Sequence, residues 1–254
     1  MKKVSVSILS SKNVQKDIIK LNSSKADYIH IDVCDGHFVK NRFNPYKTLY
    51  KLYPETTKRL DVHLMDRKPK KNINRYASLN TEYITVHVEI DKLDKYIDMI
   101  KQYGIKVGLA INPETDIELL KPYLHTIDLI IIMSVHPGLG GQEFLEDTPK
   151  RVLKIKKMIV EEKVDVKITV DGGVNDEKAK ELEFADIIVS GSYVIKSDNY
   201  DERIELIREN ANRLQTKKRT VRRKIKEENI KKKKKKECKE NTTKTKKSVK
   251  KSEE

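Results

Sequence analysis

Short apolar runs rich in β-branched residues alternate along this chain with longer stretches in which apolar residues recur every three or four positions. The short runs, at 4–9, 28–33, 59–64, 83–86, 106–111, 129–133, 167–170 and 187–189, read as strands. The stretches between them predict helices over 13–22, 46–53, 69–79, 91–103, 115–122, 148–161 and 176–182, with a last one near 200–214. Asn13, Asp116 and Asn175 are of the residue types that cap or open such helices. Strand and helix in eightfold alternation is the pattern of an α/β fold, a (β/α)8 TIM barrel. An open doubly wound sheet shares the alternation but gathers its ligand at one switch point. Here the candidate chemistry is spread over the ends of the second, third, sixth, seventh and eighth strands, which favours the closed barrel.

The 254 residues suit one barrel, since such domains run to about 250 residues. Nothing in the chain is apolar for long enough to span a bilayer, and the opening Met1-Lys2-Lys3 followed by a short mixed run is too polar for a secretory core. The expected location is therefore cytoplasmic, with no membrane partner. Cys34 and Cys238 are the only cysteines and stand in unlike contexts, which fits a reducing compartment.

Charge divides the chain. Residues 217–254 hold 19 Lys/Arg against 6 Asp/Glu, so they carry +13 of the net +15, and residues 1–216 are nearly neutral. The expected organisation is a barrel over 1–216 and a Lys-rich tail over 217–254. With unbroken lysines at 231–236 and few large apolar residues, the tail cannot bury enough surface to offset the entropy of ordering, and it reads as disordered. It can contact nucleic acid non-specifically by neutralising phosphates. It lacks the interleaved aromatics that stack on bases and an amphipathic face for a membrane.

Strand parity brings chemistry together. His30 and Asp32 are two apart on one strand and project to the same side. His63 and Asp171 lie at the ends of two others, so the four together could hold one divalent metal. Imidazole and carboxylate without thiolate suit Zn²⁺, Fe²⁺, Mn²⁺ or Co²⁺. Of nine glycines, six fall in Gly138-Leu139-Gly140-Gly141, Gly172-Gly173 and Gly191-Ser192, after the sixth, seventh and eighth strands. Glycine lets backbone N–H groups approach an anion, and barrels commonly bind phosphate at this place.

In order, Ser7-Ile8-Leu9-Ser10, His30-Ile31-Asp32-Val33-Cys34-Asp35-Gly36-His37-Phe38, Leu60-Asp61-Val62-His63-Leu64-Met65, Ile132-Met133-Ser134-Val135-His136-Pro137-Gly138, Val170-Asp171-Gly172-Gly173 and Val189-Ser190-Gly191-Ser192 strongly resemble ribulose-phosphate 3-epimerase, over about 4–214. The resemblance implies a ribulose-phosphate-binding barrel of the pentose phosphate pathway that interconverts D-ribulose 5-phosphate and D-xylulose 5-phosphate. It implies a homo-oligomer, and one divalent metal on His30, Asp32, His63 and Asp171. Asp32 and Asp171 would be the acid/base pair. Ser7 and His63 would contact the sugar. Gly138, Leu139, Gly140, Gly141, Gly172, Gly173, Gly191 and Ser192 would surround the phosphate. Inversion at C3 takes a proton from one face and returns one to the other, so two carboxylates are needed, and a metal would offset the charge of the cis-enediolate.

Some residues depart from the family pattern. Cys34 stands at a usual methionine, Leu139 at a usual phenylalanine, Val6 at a usual proline, and the stretch 40–45 differs throughout. Cys34 reads as a small core residue, His37 and His87 as hydrogen-bonded structural residues and His125 as a surface residue. Decarboxylases and aldolases of related barrels carry Asp-x-Lys-x-x-Asp where this chain has Asp61-Val62-His63-Leu64-Met65-Asp66, and histidine in place of lysine speaks against their chemistry. An epimerase for D-allulose 6-phosphate would share the metal and acid/base set, and a nucleic-acid-binding protein acting through the tail is the alternative from another class. Deleting 217–254 separates barrel from tail: the expected outcome is unchanged epimerase turnover, with any salt-sensitive RNA binding lost in a filter-binding assay.

Overall fold

Eight parallel strands close on one another. The strands are β1 (Lys3–Ser7), β2 (Tyr28–Asp35), β3 (Arg42–Phe43), β4 (Leu60–Met65), β5 (Thr81–His87), β6 (Lys106–Ile111), β7 (Leu129–Met133), β8 (Lys167–Asp171) and β9 (Ile187–Ser190). All except β3 join the ring β1-β2-β4-β5-β6-β7-β8-β9, which β1 closes by pairing with both β2 and β9. The computed structural model describes residues 1–213, and the barrel lies within the unit Met1–Asn212. The expected tail, 217–254, lies outside the described residues. Among those residues no helix is long and apolar enough to cross a membrane.

The helices are α1 (Val14–Asn22), α2 (Tyr46–Leu52), α3 (Lys70–Ala77), α4 (Leu93–Gln102), α5 (Thr148–Glu161), α6 (Asp176–Ala179) and α7 (Ser192–Ile195), and residues 200–213 form α8. Asn13 and Asn175 cap α1 and α6 by accepting the N–H groups of Lys16 at 3.1 Å and Lys178 at 2.9 Å. Asp116 does the same for Glu118 at 3.1 Å. The helix expected over 115–122 is instead a 3-10 helix at Ile117–Tyr123, where Pro122 has no N–H for an α-helical bond. Besides a 3-10 turn at Tyr53–Glu55, two elements escaped the periodicity. The two-residue β3 pairs antiparallel with β2 and is too short to show a period, and α7 is a single turn after β9.

Parity along each strand separates two environments. Outward positions such as Val4, Val6, Ile29, Ile31, Val62, Leu64, Ile130, Ile132, Ile168 and Val170 form one core with the helices. Inward positions divide by strand. Those of β6, β7 and β9, including Ala110, Leu129, Ile131, Met133 and Ile187, make an apolar cluster with Tyr28 and Tyr83. Most of those of β1, β2, β4, β5 and β8 are polar and buried: Ser5, Ser7, His30, Asp32, Asp61, His63, Thr85, His87, Thr169 and Asp171. Buried polar groups require partners, so one half of the barrel interior is committed to an internal polar network.

Gly108 fits that network into the barrel. It pairs with Thr85 on β5, and Thr85 pairs with His63 on β4. A Cβ at Gly108 would lie 2.1 Å from Thr85 Oγ1, so the barrel has no room for a side chain beside the threonine. Gly108→Ala is expected to lower unfolding stability by about 1–3 kcal/mol through overpacking, measured as a lowered urea midpoint with an unchanged slope.

Candidate active site and metal centre

The barrel register sets four side chains around one point. Asp32 and His63 are direct neighbours across β2 and β4, His30 lies two residues before Asp32, and Asp171 ends β8. His30 Nε2 stands 3.5 Å from Asp32 Oδ1 and 3.4 Å from Asp171 Oδ2, and His63 Nδ1 stands 3.4 Å from each of the same two oxygens. Nitrogen and oxygen thus alternate around a quadrilateral whose four atoms lie within 4.8 Å of one another. Among the described residues no other cluster of this kind occurs. Both nitrogens are buried and have no hydrogen-bond partner. The four sides exceed ordinary N–H···O lengths and suit donors arranged around an ion at roughly 2.0–2.4 Å. The residues therefore fit a divalent metal.

A second layer holds the first. Asp61, on β4, has its Oδ2 2.8 Å from His30 Nδ1 and also accepts from Ser5 Oγ at 2.9 Å. His63 Nε2 lies 2.8 Å from His87 Nε2, and His87 Nδ1 lies 3.1 Å from Glu89 Oε2. Ser7 Oγ donates to Asp32 Oδ2 at 2.6 Å and accepts the Leu9 N–H at 3.2 Å. Ser5, Asp61 and Glu89 escaped sequence reasoning as parts of the site. The signal was strand parity, since Ser5 and Asp61 stand two residues before Ser7 and His63 on the same faces. His87 is hydrogen-bonded and structural, in line with its reading from sequence.

Burial works against charge here, and the cluster answers it internally. Burial disfavours protonation of His30, but the carboxylates of Asp61, Asp32 and Asp171 outweigh it and hold the ring well above its ordinary value. Burial opposes protonation of His63 too, and Asp171 and Asp32 raise it. Burial would raise Asp32, but His30 and His63 hold it far below the usual carboxylate range, and Asp171 is lowered against its burial by the same two histidines. The carboxylates thus demand a positive charge between them, supplied by protonated imidazoles or by a metal that displaces those protons. His87 behaves oppositely: burial pushes it down to about 4 and leaves a neutral ring.

Above the cluster opens a cleft of about 290 Å³. Ser7, Asp32, Met65, Met133 and Asp171 line it, together with Gly138, Leu139, Gly140, Gly141, Gly172, Gly173, Gly191 and Ser192. The structure thus brings the anticipated phosphate-loop glycines and both carboxylates to one opening. His30 and His63 are fully buried and lie off the cleft wall. Ser10, Gln142, Asn175 and Tyr193 also line the cleft, although sequence reasoning gave them no role there. Gly173 has φ +64°, and a Cβ would meet Phe144 N at 2.7 Å and Gln142 O at 2.8 Å, so glycine is needed there. The divergent stretch 40–45 is tied to this loop, because Asn41 Nδ2 donates to Gly138 O at 2.8 Å. Gln142 Nε2 adds bonds to His136 O at 2.6 Å and Leu139 O at 2.8 Å.

Cys34 packs with Val39 and Met65 in a small apolar cluster, outside the four-residue group. Burial, with the Asp32 and Asp35 carboxylates adding to it, pushes its thiol up to about 12. His37 is exposed. His125 is exposed as expected and lies 3.8 Å from Glu162.

Residues 3–195 match the model of the ribulose-phosphate 3 epimerase family. Ribulose-phosphate 3-epimerase of Helicobacter pylori strain J99 is 37% identical over 208 residues, covering 80% of this chain and 95% of that protein. The Bacillus subtilis strain 168 protein of the same name is 37% identical over 217 residues, covering 82% of this chain and 99% of that protein. Among solved structures, KGPDC from Streptococcus mutans superposes with a TM-score of 0.63 at 12% identity over 84% of this chain and 98% of that one. 3-Hexulose-6-phosphate synthase from Salmonella typhimurium gives a TM-score of 0.60 at 15% identity over 84% and 99%. At those identities the structures share the barrel alone.

A thiol held at about 12 is protonated at neutral pH and is a poor nucleophile. In Cys238→Ser protein, iodoacetamide at pH 8 is expected to leave Cys34 unlabelled in the folded state and to label it in denaturant, read by mass spectrometry.

Proposed function

The chain belongs to the ribulose-phosphate 3-epimerase family, an isomerase by activity, and we propose that Asp32 and Asp171 are the two bases that invert C3 of D-ribulose 5-phosphate and D-xylulose 5-phosphate. The observation that carries this reading is the approach of both carboxylates to the same buried imidazole nitrogens while both line one cleft. One-face chemistry would need a single base. Inversion needs two, reaching the carbon from strands that β1 and β9 separate.

In the direction from ribulose phosphate, Asp32 takes the C3 proton, and the C–H electron pair becomes the C2–C3 double bond as the C2 carbonyl π pair moves to its oxygen. Asp171, entering as the acid, gives a proton to the opposite face of C3, where the C2–C3 π pair forms the new C–H bond as the oxygen pair re-forms the C2 carbonyl, so turnover ends with the protonation states of the two residues exchanged. The reverse reaction begins from that exchanged state. Ser7 holds Asp32 by the 2.6 Å bond to Oδ2, which fixes the carboxylate in one orientation at the cleft. When bound by His30, Asp32, His63 and Asp171, a divalent metal supplies a Lewis acid that offsets the negative charge developing on the sugar oxygens. The neutral His87 beneath His63 adds no further charge to the cluster.

At the other end of the cleft, backbone groups around Gly138, Leu139, Gly140, Gly141, Gly172, Gly173, Gly191 and Ser192 receive the phosphate, and Ser7 reaches the sugar. Support comes from their common exposure on the cleft wall and from the positive φ of Gly138, Gly141, Gly172 and Gly173, which turns the loops toward the opening. His63 supports the sugar only from below, through the carboxylates. The division into a barrel over 1–216 and a tail over 217–254, a cytoplasmic location, a homo-oligomer, and non-specific nucleic-acid contact by the tail complete the reading, and sedimentation and tail deletion test the last two.

The test is a coupled assay of metal-stripped protein before and after addition of Fe²⁺, Mn²⁺, Co²⁺ or Zn²⁺. Turnover of D-ribulose 5-phosphate is expected to return with metal and to exceed turnover of D-allulose 6-phosphate. Asp171→Asn is expected to lose about 10²–10⁴-fold in kcat, the contribution of one acid/base group. Full turnover by that variant in both directions would refute the two-base scheme. A second expectation concerns the phosphate end: Gly173→Ala should raise KM by at least tenfold, since its Cβ would collide with backbone at Phe144 and Gln142.

A further inference from the structure

Behind the metal centre, a chain of hydrogen bonds leads from His63 to a carboxylate that faces away from the cleft. His63 Nε2 and His87 Nε2 are 2.8 Å apart, and the ring centroids are 5.0 Å apart. With the nitrogens so much closer than the centroids, the rings meet edge to edge. One nitrogen must donate and the other accept, so the two tautomers are linked. His87 Nδ1 lies 3.1 Å from Glu89 Oε2. Glu89 is itself held, since its Oε1 accepts the Asn112 N–H at 2.8 Å and the Thr115 hydroxyl at 2.7 Å.

An ionised carboxylate only accepts, so Glu89 requires the proton of His87 on Nδ1. His87 Nε2 is then an acceptor and requires the proton of His63 on Nε2. His63 Nδ1 is thereby left with a free lone pair, and it is the nitrogen 3.4 Å from both Asp32 and Asp171 that has no hydrogen-bond partner. We infer that Glu89, acting through His87, is a positioning residue that selects the His63 tautomer able to ligate the metal. His30 gets the equivalent service directly from Asp61 Oδ2, so the two imidazole ligands are oriented by different means, one through a carboxylate alone and one through a second imidazole. Both histidines are completely buried.

The inference rests on the metal reading above, and the experiment separates the two. Metal-stripped full-length protein is titrated with Zn²⁺ against a chromophoric chelator, alongside Asp171→Asn, Glu89→Ala, Glu89→Gln and Ile73→Val. Glu89→Ala is expected to weaken Zn²⁺ binding about 10- to 100-fold, the usual effect of losing an outer partner of a ligating histidine. Glu89→Gln, which keeps an acceptor for His87 Nδ1–H, should restore most of the affinity. Ile73→Val, a truncation in the outer core, should bind as wild type does, whereas a role for Glu89 in stability alone would weaken binding in Ile73→Val as well. Long-range ¹H–¹⁵N spectra of the Zn²⁺-loaded wild type supply a readout independent of any variant's folding: the protons should sit on His63 Nε2 and His87 Nδ1. Wild-type affinity in Glu89→Ala overturns the inference while leaving the metal site intact, whereas a proton on His63 Nδ1, which bars that nitrogen from ligating, overturns the inference and the ligand role of His63 together. A wild type that binds no Zn²⁺ overturns the metal reading and this inference together.

Discussion

Two carboxylates and two imidazoles are buried within 4.8 Å of one another in the interior of a β-barrel, and the rest of the molecule is arranged around that concentration of charge. An isolated buried carboxylate would be neutralised or expelled. Two of them with two imidazoles form a set that can stay ionised, because each carboxylate oxygen sees two nitrogens and each nitrogen sees two oxygens. Mutual pairing lowers Asp32 and Asp171 and raises His30 and His63 against the pull of burial. A set poised in this way can bind a cation in place of protons.

The closed barrel makes that arrangement affordable to the fold. Outward strand residues and the helices form a continuous apolar core, so stability does not depend on the interior being apolar throughout. The inner faces of β6, β7 and β9 supply an apolar half, and in the polar half His30 is held from behind by Asp61 with Ser5, and His63 by His87 with Glu89. Narrow places such as Gly108, where no side chain fits beside Thr85, keep the barrel tight below the cluster. Rigid strands fix the ligand atoms, while loops carry the contacts that must suit a substrate.

The same architecture carries the charged cluster on strands and the glycine-rich segments on loops of one cleft. Asp32 stands within β2 and Asp171 ends β8, and the glycine-rich segments follow β7, β8 and β9 at the opening. Asn41 and Gln142 tie the loop after β7 to the loop after β2 and to itself. Leu139 is largely exposed at the lip of the cleft, so its replacement of a larger aromatic changes the rim and leaves the core untouched.

By itself the sequence determined the fold class, because a strand's period of two and a helix's period of 3.6 are local properties, and because eight alternations leave few ways to bury both faces. His30, Asp32, His63 and Asp171 were legible for the same reason: parity puts His30 and Asp32 on one face, and the motifs mark the strand ends. The caps at Asn13, Asp116 and Asn175 were likewise local. Only the tertiary structure decided which nitrogens face the carboxylates, since ring orientation depends on Asp61 and His87, which reach their partners across strands. It alone revealed β3, which is too short to carry a period, and the 3-10 form of Ile117–Tyr123, set by a missing N–H at Pro122. The approach of Asn41 to Gly138 and of Glu89 to His87 and Asn112 depended on closure of the ring, a long-range event with no periodic trace along the chain.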